Sequence, residues 1–302
     1  MNRIATIPFQ TALSAGFMRM QERADDLQRQ MASGRKVNAW SDLGARAPRS
    51  VAAHGVIARL TAQGDAARTV GTTLALYDAH LGHAAGAAQR LRAEIQQAIG
   101  LGEAAGLDEA IREAFAAYAG AMNAEEQDRP LFGGSNSAES PLRETVFADL
   151  PMHNRAIAFA SDSVRREAEL LDGEMLQYGM AAHEVGGELY DAFRDLAIAG
   201  PFNGRLTDTQ RSALAAATEQ LAGGIDTLRA AQGANGRQQQ RLDRIAARAE
   251  EREILYTAIA SKAEDANLAE VAGELTRVRS GLEASYAVFS QLSRLSLTQY
   301  LR

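Results

Sequence analysis

Residues 268–302, LAEVAGELTRVRSGLEASYAVFSQLSRLSLTQYLR, form the stretch from which the rest of this chain is best interpreted. Its large apolar side chains recur at alternating steps of three and four residues, the spacing of a helix with one narrow apolar face. These side chains are Leu268, Val271, Leu275, Val278, Leu282, Phe289 and Leu292; only Ser285 interrupts the series, and Leu295 belongs to the broader apolar surface that follows. The apolar surface broadens towards the end of the stretch, so we expect this helix to need a partner.

A second narrow apolar face lies near the other end of the chain, in residues 10–32. Its members follow the same spacing and are Leu13, Phe17, Met20, Ala24, Leu27 and Met31. Such stripes are common in ordinary helix packing, but these two are terminal and would have to meet across the whole chain. We therefore predict that the terminal helices pair as a coiled coil, and that Leu13, Phe17, Met20, Leu27 and Met31 form an assembly interface with the C-terminal series.

Composition excludes several classes of protein. Of the 302 residues 46% are hydrophobic but only 6% are aromatic, which favours long helices over a thick globular core. The net charge of −6 provides no basic field for nucleic acid. The absence of cysteine excludes disulfides, thiolate metal sites and cysteine catalysis. Since no run of eighteen apolar residues occurs, we expect neither membrane insertion nor a cleaved signal peptide.

The pattern along the chain predicts a mainly α, elongated helical rod in five parts. These are an N-terminal assembly helix with its connector (1–40), the first half of the rod (41–126), a small insert (127–187), the second half of the rod (188–264) and a C-terminal assembly helix (265–302). The insert is predicted to be mostly β, with LDGE at 171–174 as a hairpin turn. Helices are predicted over about 48–99, 108–122 and 207–230, with GANG at 233–236 separating the last of them from the run that follows.

Catalytic and metal-binding motifs are weak. HEVGG at 183–187 resembles the start of the zinc protease motif HExxH, but position 187 is glycine, so two histidines cannot share a helix face there. His80 and His83 are three residues apart, yet no third ligand stands one turn further on, which favours surface histidines. LFGGS lacks the spacing of a phosphate-binding loop. We expect no enzyme activity, no cofactor and no metal.

The segments that flank the terminal helices are similar to those of a known family. SGRKVNAWSDLGARA at 33–47 resembles the "LSSGKRINSASDDAAG" segment of bacterial flagellins and hook-associated proteins. Further matches are GANGRQQQRLDRI at 233–245 with "LGARQNRLE", and SKAEDANLAEVAGEL at 261–275 with "SRIEDADYAEEVS". Trp40 and the single acid Asp42 depart from the pattern. The chain is thus identified, by resemblance, as a member of the flagellin and hook-associated protein superfamily.

Two segments resemble one branch of that superfamily, hook-associated protein 3, which joins hook to filament. RPLFGGSNSAESPL at 129–142 is similar to its "YLFGGSxTxxxPF" stretch, and SRLSLTQYLR at 293–302 to its "SKLSLFNYL" ending. Flagellins typically finish closer to "PQNVLSLLR". The resemblance favours a junction protein over a flagellin filament subunit, which is the alternative.

The resemblance implies a structural, extracellular role in the flagellum, after export in an unfolded state. Implied partners are other copies of the chain, the proximal hook-associated protein, flagellin, and an export chaperone that covers the apolar tail 289–301. QRLRAEIQQ at 89–97 resembles a subunit-contact patch, to which Arg90 and Glu94 would contribute. A cytoplasmic coiled-coil scaffold remains as an alternative from another class, and a zinc peptidase using His183 and Glu184 as a second.

The terminal helices are expected to be marginal in the free subunit. Ordering about 65 terminal residues costs roughly 1.5 kcal/mol each, and burying a dozen large side chains returns roughly 1.5 to 3 kcal/mol each. We therefore predict that residues 1–40 and 265–302 are disordered or weakly helical until neighbouring subunits dock.

Overall fold

The chain is mainly helical, with small two-stranded sheets in its middle. The structure, a computed structural model, describes residues 6–36, 43–45, 47–170 and 173–300, and their side chains except those of 6–10, 13 and 292–300. The helices are α1 (Thr6–Ser33), α2 (Ala47–Leu101), α3 (Leu107–Met122), α4 (Arg155–Ala158), α5 (Ala182–Ala199), α6 (Asp208–Glu264) and α7 (Leu268–Tyr300). The strands are β1 (Glu125–Glu126), β2 (Arg129–Pro130), β3 (Arg166–Glu169) and β4 (Met175–Tyr178), and a 3₁₀ helix spans Phe147–Met152.

The chain divides into two compact units, one made of residues 60–251 and the other of residues 1–59 with 252–302. The unit of residues 60–251, here called the central unit, contains a continuous apolar core. Phe115, Tyr118 and Phe193 contact one another within this core, with the Phe193 ring centroid 5.5 Å from that of Phe115 and 5.4 Å from that of Tyr118. All three rings are buried, and the Tyr118 hydroxyl donates to the Gly186 carbonyl at 2.9 Å. This polar bond removes the penalty of burying the hydroxyl.

The unit of residues 1–59 and 252–302, here called the terminal unit, has a much smaller core. Helices α1 and α7 pack along each other, and the cluster between them consists of Ala24, Leu27, Val271 and Leu275. Partly buried Val278 and Leu282 adjoin this cluster. A cluster of this size is what a single pair of helices with narrow apolar faces can bury.

Two β strands of the insert form a hairpin at the predicted place. Strand β3 pairs antiparallel with β4, with Glu169 opposite Met175. Of the predicted LDGE turn, Leu171 and Asp172 lie outside the described residues. The insert contains strands, as predicted, but much of the rest of it is loop, 3₁₀ helix and the single turn of α4. Its low content of Val and Ile explains why the strands stay short.

The predicted separation at GANG is wrong, because α6 continues through residues 233–236. Asn235 is buried there, and its side-chain amide donates to the Leu74 carbonyl of α2 at 2.6 Å. Packing against α2 therefore keeps this segment helical, although Gly233 and Gly236 each lower the intrinsic helix propensity by roughly 1 kcal/mol. A short break separates the last two helices, since α6 ends at Glu264 and α7 begins at Leu268.

Candidate assembly interface

The terminal unit brings together several residues of the predicted assembly interface. Leu27, Val271 and Leu275 are buried between α1 and α7, and Val278 and Leu282 pack on them. Ala24 completes the cluster on the α1 side. The spacing of three and four residues in each helix therefore identified both members of this helix pair.

Further along the pair, the interface opens and exposes aromatic side chains. Phe17 meets Tyr286 edge to face, with ring centroids 4.7 Å apart. Beside them lies a cleft of about 230 Å³ that is also lined by Phe289 and by Ser14 and Ser285. Tyr286 is 59% exposed and Phe289 is 56% exposed. Together these rings form a contiguous exposed apolar patch, the kind of surface on which a partner can pack.

Other predicted interface residues lie on the margins of the helix pair. Met20 is half-buried, with its Sδ directly over Gly281, whereas Met31 and Leu268 are 44% and 49% exposed. The side chains of Leu13, Leu292 and Leu295 lie outside the described residues. Tyr286 was not among the predicted interface residues because it falls outside the strict spacing of the apolar stripe. Its proximity to Phe289 on the broadened end of α7 was the available signal.

Backbone hydrogen bonds join the two connectors that follow α1 and α6. The Ala266 amide donates to the Gly34 carbonyl at 2.8 Å, and the Lys36 amide donates to the Glu264 carbonyl at 2.7 Å. The Lys36 ammonium also donates to the Lys262 carbonyl at 2.9 Å, at the carboxyl end of α6. A cation there complements the helix dipole. The SGRK and AEDAN segments thus hold the ends of the two terminal helices in register.

A buried carboxylate on α6 lies next to this connector. Glu264 accepts a short hydrogen bond from the Ser50 hydroxyl and lies 2.8 Å from the His54 Nε2 atom, both on α2. The hydrogen bond from Ser50 is the main cause that lowers the pKa of Glu264 below its usual value, and His54 adds to it. Because the ionised form is favoured, the contact anchors α6 to the start of α2 within the terminal unit.

The LFGGS segment has a structural role in the central unit. The Phe132 ring stands edge to face on Tyr77 of α2, with centroids 4.9 Å apart, and both rings are buried. Gly134 has a φ of 71° and lies against Asp162, whose carboxylate accepts from the Ser135 amide at 2.8 Å. A side chain at position 134 would collide with Asp162, so this turn requires glycine.

The residues of the weak zinc motif are engaged in contacts with their neighbours. The His183 Nδ1 atom lies 2.9 Å from the Ser161 hydroxyl, and its Nε2 atom lies 3.2 Å from the Ser163 hydroxyl. Glu184 forms an ion pair with Arg165 at 2.6 Å. Within the described parts of the chain no group of three or more His, Cys, Asp and Glu side chains is placed to hold a metal ion.

The remaining predicted residues lie on the long helix α2. Partial burial lowers the pKa of His80, with a further contribution from His83 one turn away. Arg90 and Glu94 are exposed and four residues apart, so they share one face of the helix. None of the described helices contains a stretch that could span a lipid bilayer.

Comparison with solved structures reveals the same fold in flagellar proteins. The crystal structure of FlgL from Bacillus cereus is similar over 70% of this chain and 99% of that chain, with a TM-score of 0.59 and 14% identity. A protein from Vibrio parahaemolyticus assigned as a flagellar hook-associated protein is similar over 74% of this chain and all of its own, with a TM-score of 0.63 and 14% identity. No family model matches the sequence, and no curated protein does.

At this low identity the likeness establishes the fold, and the fold resemblance predicted from the sequence motifs is confirmed. Each of the two solved chains is covered almost entirely, although its sequence is only 14% identical to this one.

Proposed function

We propose that this chain is a structural subunit of the bacterial flagellum that joins hook to filament outside the cell, and that it has no enzymatic role. The observation that carries the proposal is the pairing of α1 and α7, the two ends of the chain, in a fold shared with FlgL. A helix pair that leaves apolar side chains uncovered is suited to packing against neighbouring subunits. The proposed partners are other copies, the proximal hook-associated protein and flagellin.

Exposed aromatic surface on α7 supports assembly through the terminal unit. Tyr286 and Phe289 border the cleft beside Phe17, and Val288 adds a 46% exposed side chain. Burying such a side chain contributes roughly 1.5 to 3 kcal/mol when it becomes fully covered. Docking neighbours would therefore supply stabilisation that the lone helix pair lacks.

Sequence features favour the junction over the filament. The LFGGS segment and the ending SRLSLTQYLR are both similar to hook-associated protein 3, and the fold is found in FlgL. A flagellin filament subunit is the second candidate, because its terminal helices would pair in the same way.

Immuno-electron microscopy of flagella isolated from the source bacterium tests the proposal. We expect gold label at the distal end of the hook, and none in a strain that lacks the gene. Label along the whole filament would assign the chain as a filament subunit instead. Label absent from flagella, with all of the protein in the cytosol, would overturn the flagellar role and support a cytoplasmic scaffold.

Binding of an export chaperone by the apolar tail is a separate part of the proposal. Full-length protein should bind the flagellar export chaperone of the same bacterium, and a chain that lacks residues 265–302 should not. A matched variant that changes exposed Val51 to Ser should bind normally, because Val51 lies on α2. Equal binding by the full-length and shortened chains would contradict the assignment of the tail.

A further inference from the structure

Two asparagines of the central unit are followed by glycine, and the structure places them in opposite surroundings. Asn203 and Gly204 lie in the loop between α5 and α6, whereas Asn235 and Gly236 lie inside α6. An asparagine before glycine is the most reactive setting for deamidation, because glycine has no side chain to hinder attack by its own nitrogen on the neighbouring side-chain amide. The fold therefore decides which of the two asparagines reacts.

The loop leaves both reacting groups of the first pair accessible. Asn203 and Gly204 are exposed. In the part of the chain that the structure describes, neither the Asn203 side chain nor the Gly204 amide forms a hydrogen bond. Gly204 has a φ of 68°, and no atom lies within 4 Å of the position that its Cβ atom would take. The side-chain amide carbon of Asn203 and the nitrogen of Gly204 are thus open to each other.

The same two groups are restrained in the second pair. Asn235 is 1% exposed, and its side-chain amide donates to the Leu74 carbonyl at 2.6 Å. Gly236 lies within α6, where the backbone amide is held by a hydrogen bond to the preceding turn. Ring closure at Asn235 therefore requires α6 to open locally and the contact with Leu74 to break.

We propose that Asn203 is a site of spontaneous deamidation in the folded protein and that Asn235 is protected. The Gly204 nitrogen loses its proton and attacks the Asn203 side-chain amide carbon. The bond from that carbon to the amide nitrogen then breaks, ammonia leaves, and a five-membered succinimide remains. Water opens this ring at either carbonyl, which gives aspartate or isoaspartate. The net change takes up one water and releases one ammonia, with no oxidation or reduction.

Isoaspartate at position 203 would loosen the contact between two loops of the central unit. The Ala104 amide donates to the Gly204 carbonyl at 2.8 Å, and the Leu206 amide donates to the Gly102 carbonyl at 3.0 Å. In isoaspartate the main chain runs through the side chain and gains one carbon directly before Gly204. The Gly204 carbonyl is then displaced from Ala104. This inference goes beyond the proposed function and does not depend on it, because only the surroundings of the two asparagines enter it.

Incubation of the full-length protein in warm, mildly alkaline buffer tests the proposal, with mass spectrometry that separates aspartate and isoaspartate peptides. In the folded protein, conversion at Asn203 should be at least about tenfold faster than at Asn235, which reacts only while α6 is locally open. In guanidinium chloride the two rates should become similar. Equal rates in the folded protein, or no conversion at Asn203, would overturn the inference. A difference that persisted in denaturant would also overturn it, since local sequence rather than the fold would then be its cause.

The variant Asn203→Gln is the matched control. It keeps an exposed amide at this position, but its longer side chain closes the ring far more slowly. Its circular dichroism and thermal unfolding should match those of the fresh parent protein, and no isoaspartate should form in its loop. After incubation, the amides of Ala104 and Leu206 should exchange hydrogen faster in the converted parent and remain unchanged in the variant. Unchanged exchange in the converted parent, or equally fast exchange in the incubated variant, would overturn the predicted loosening of the loop.

Discussion

The central and terminal units differ in how much of their apolar surface the chain itself covers. The central unit encloses Phe115, Tyr118 and Phe193 in a continuous core. Helices α2, α3, α5 and α6 all contribute side chains to it. The terminal unit buries four side chains between α1 and α7 and leaves Tyr286 and Phe289 more than half exposed. The central unit therefore has a large core of its own, whereas the terminal unit buries far less apolar surface between its two helices.

This difference indicates that the two units have different roles in assembly. A unit with a large core of its own can fold without contacts from neighbouring subunits. A pair of helices with a narrow contact gains its stability from whatever covers its remaining apolar face. The terminal unit is therefore the natural place for assembly, and the central unit the natural rigid body.

Removing one leucine from each unit should show the largest difference between them. Leu221 is fully buried in the central unit, and Leu221→Ala should lower the free energy of unfolding by about 3 to 5 kcal/mol. Leu27→Ala should leave the main unfolding transition nearly unchanged but weaken self-association, because its cluster is small. Urea unfolding followed by circular dichroism measures the first effect, and sedimentation the second. Equal shifts of the main transition would show that the terminal pair belongs to the stable core.

Two adjacent glycines of α6 probe how tightly the central unit is packed. A Cβ atom on Gly224 would lie 2.5 Å from Leu189 Cδ2, so Gly224→Ala should destabilise by about 1 to 3 kcal/mol. Gly223 is exposed, with its nearest contact at 3.4 Å from the Glu188 carboxylate, and Gly223→Ala should stabilise by up to about 1 kcal/mol. Thermal unfolding of both variants measures the two changes in stability. A stabilising Gly224→Ala would contradict the close packing of α5 on α6.

Acid should weaken the terminal unit through Glu264. The pKa of Glu264 is lowered in the fold, mainly by the Ser50 hydroxyl, so its ionised form stabilises this unit. That stabilisation is fully present above the usual pKa of 4.5 and is lost as the pH falls through the lowered value. Carbon NMR of the side-chain carboxyl should show a higher titration midpoint in Ser50→Ala. An unchanged midpoint would show that Ser50 does not stabilise the carboxylate.

The smallest effect is expected from the exposed ion pair between α1 and α7. Arg23 lies 2.8 Å from Glu274, with side chains 48% and 38% exposed. Arg23→Ala should lower the stability of the terminal unit by only about 0.2 to 1 kcal/mol, and the loss should vanish at high salt. The rate of amide hydrogen exchange in α1, compared at low and high salt, measures this loss of stability. A larger loss that persists in salt would indicate that charge, rather than Leu27 and its neighbours, holds the helix pair.

Much of the fold could be predicted from spacing alone. The three-and-four pattern identified α1 and α7, and the breaks near Ser33 and at 265–267 follow from the local sequence. The continuity of α6 through GANG could not be predicted, because it depends on the burial of Asn235 against Leu74, which lie 161 positions apart in the chain. Local glycine signals were outweighed by tertiary packing.

The candidate interface was predictable only in its regular part. Leu27, Val271 and Leu275 lie on the stripe and are buried, whereas Tyr286 lies off the stripe and contacts Phe17 because α7 broadens there. The contact of Glu264 with Ser50 and His54 could not be predicted either, since both residues are distant from it in sequence. The residues of the two apolar stripes remain predictions as contacts between subunits. The packing within one chain does not reveal which surfaces touch a neighbouring copy.

Hydrogen exchange on the full-length protein, before and after assembly, tests the central claim most directly. In the monomer, amides of α1 and α7 should exchange far faster than those of α3 and α5, and they should become protected when subunits assemble while α3 and α5 remain unchanged. Equal protection of all four helices in the monomer, or no gain in α1 and α7 on assembly, would contradict the account.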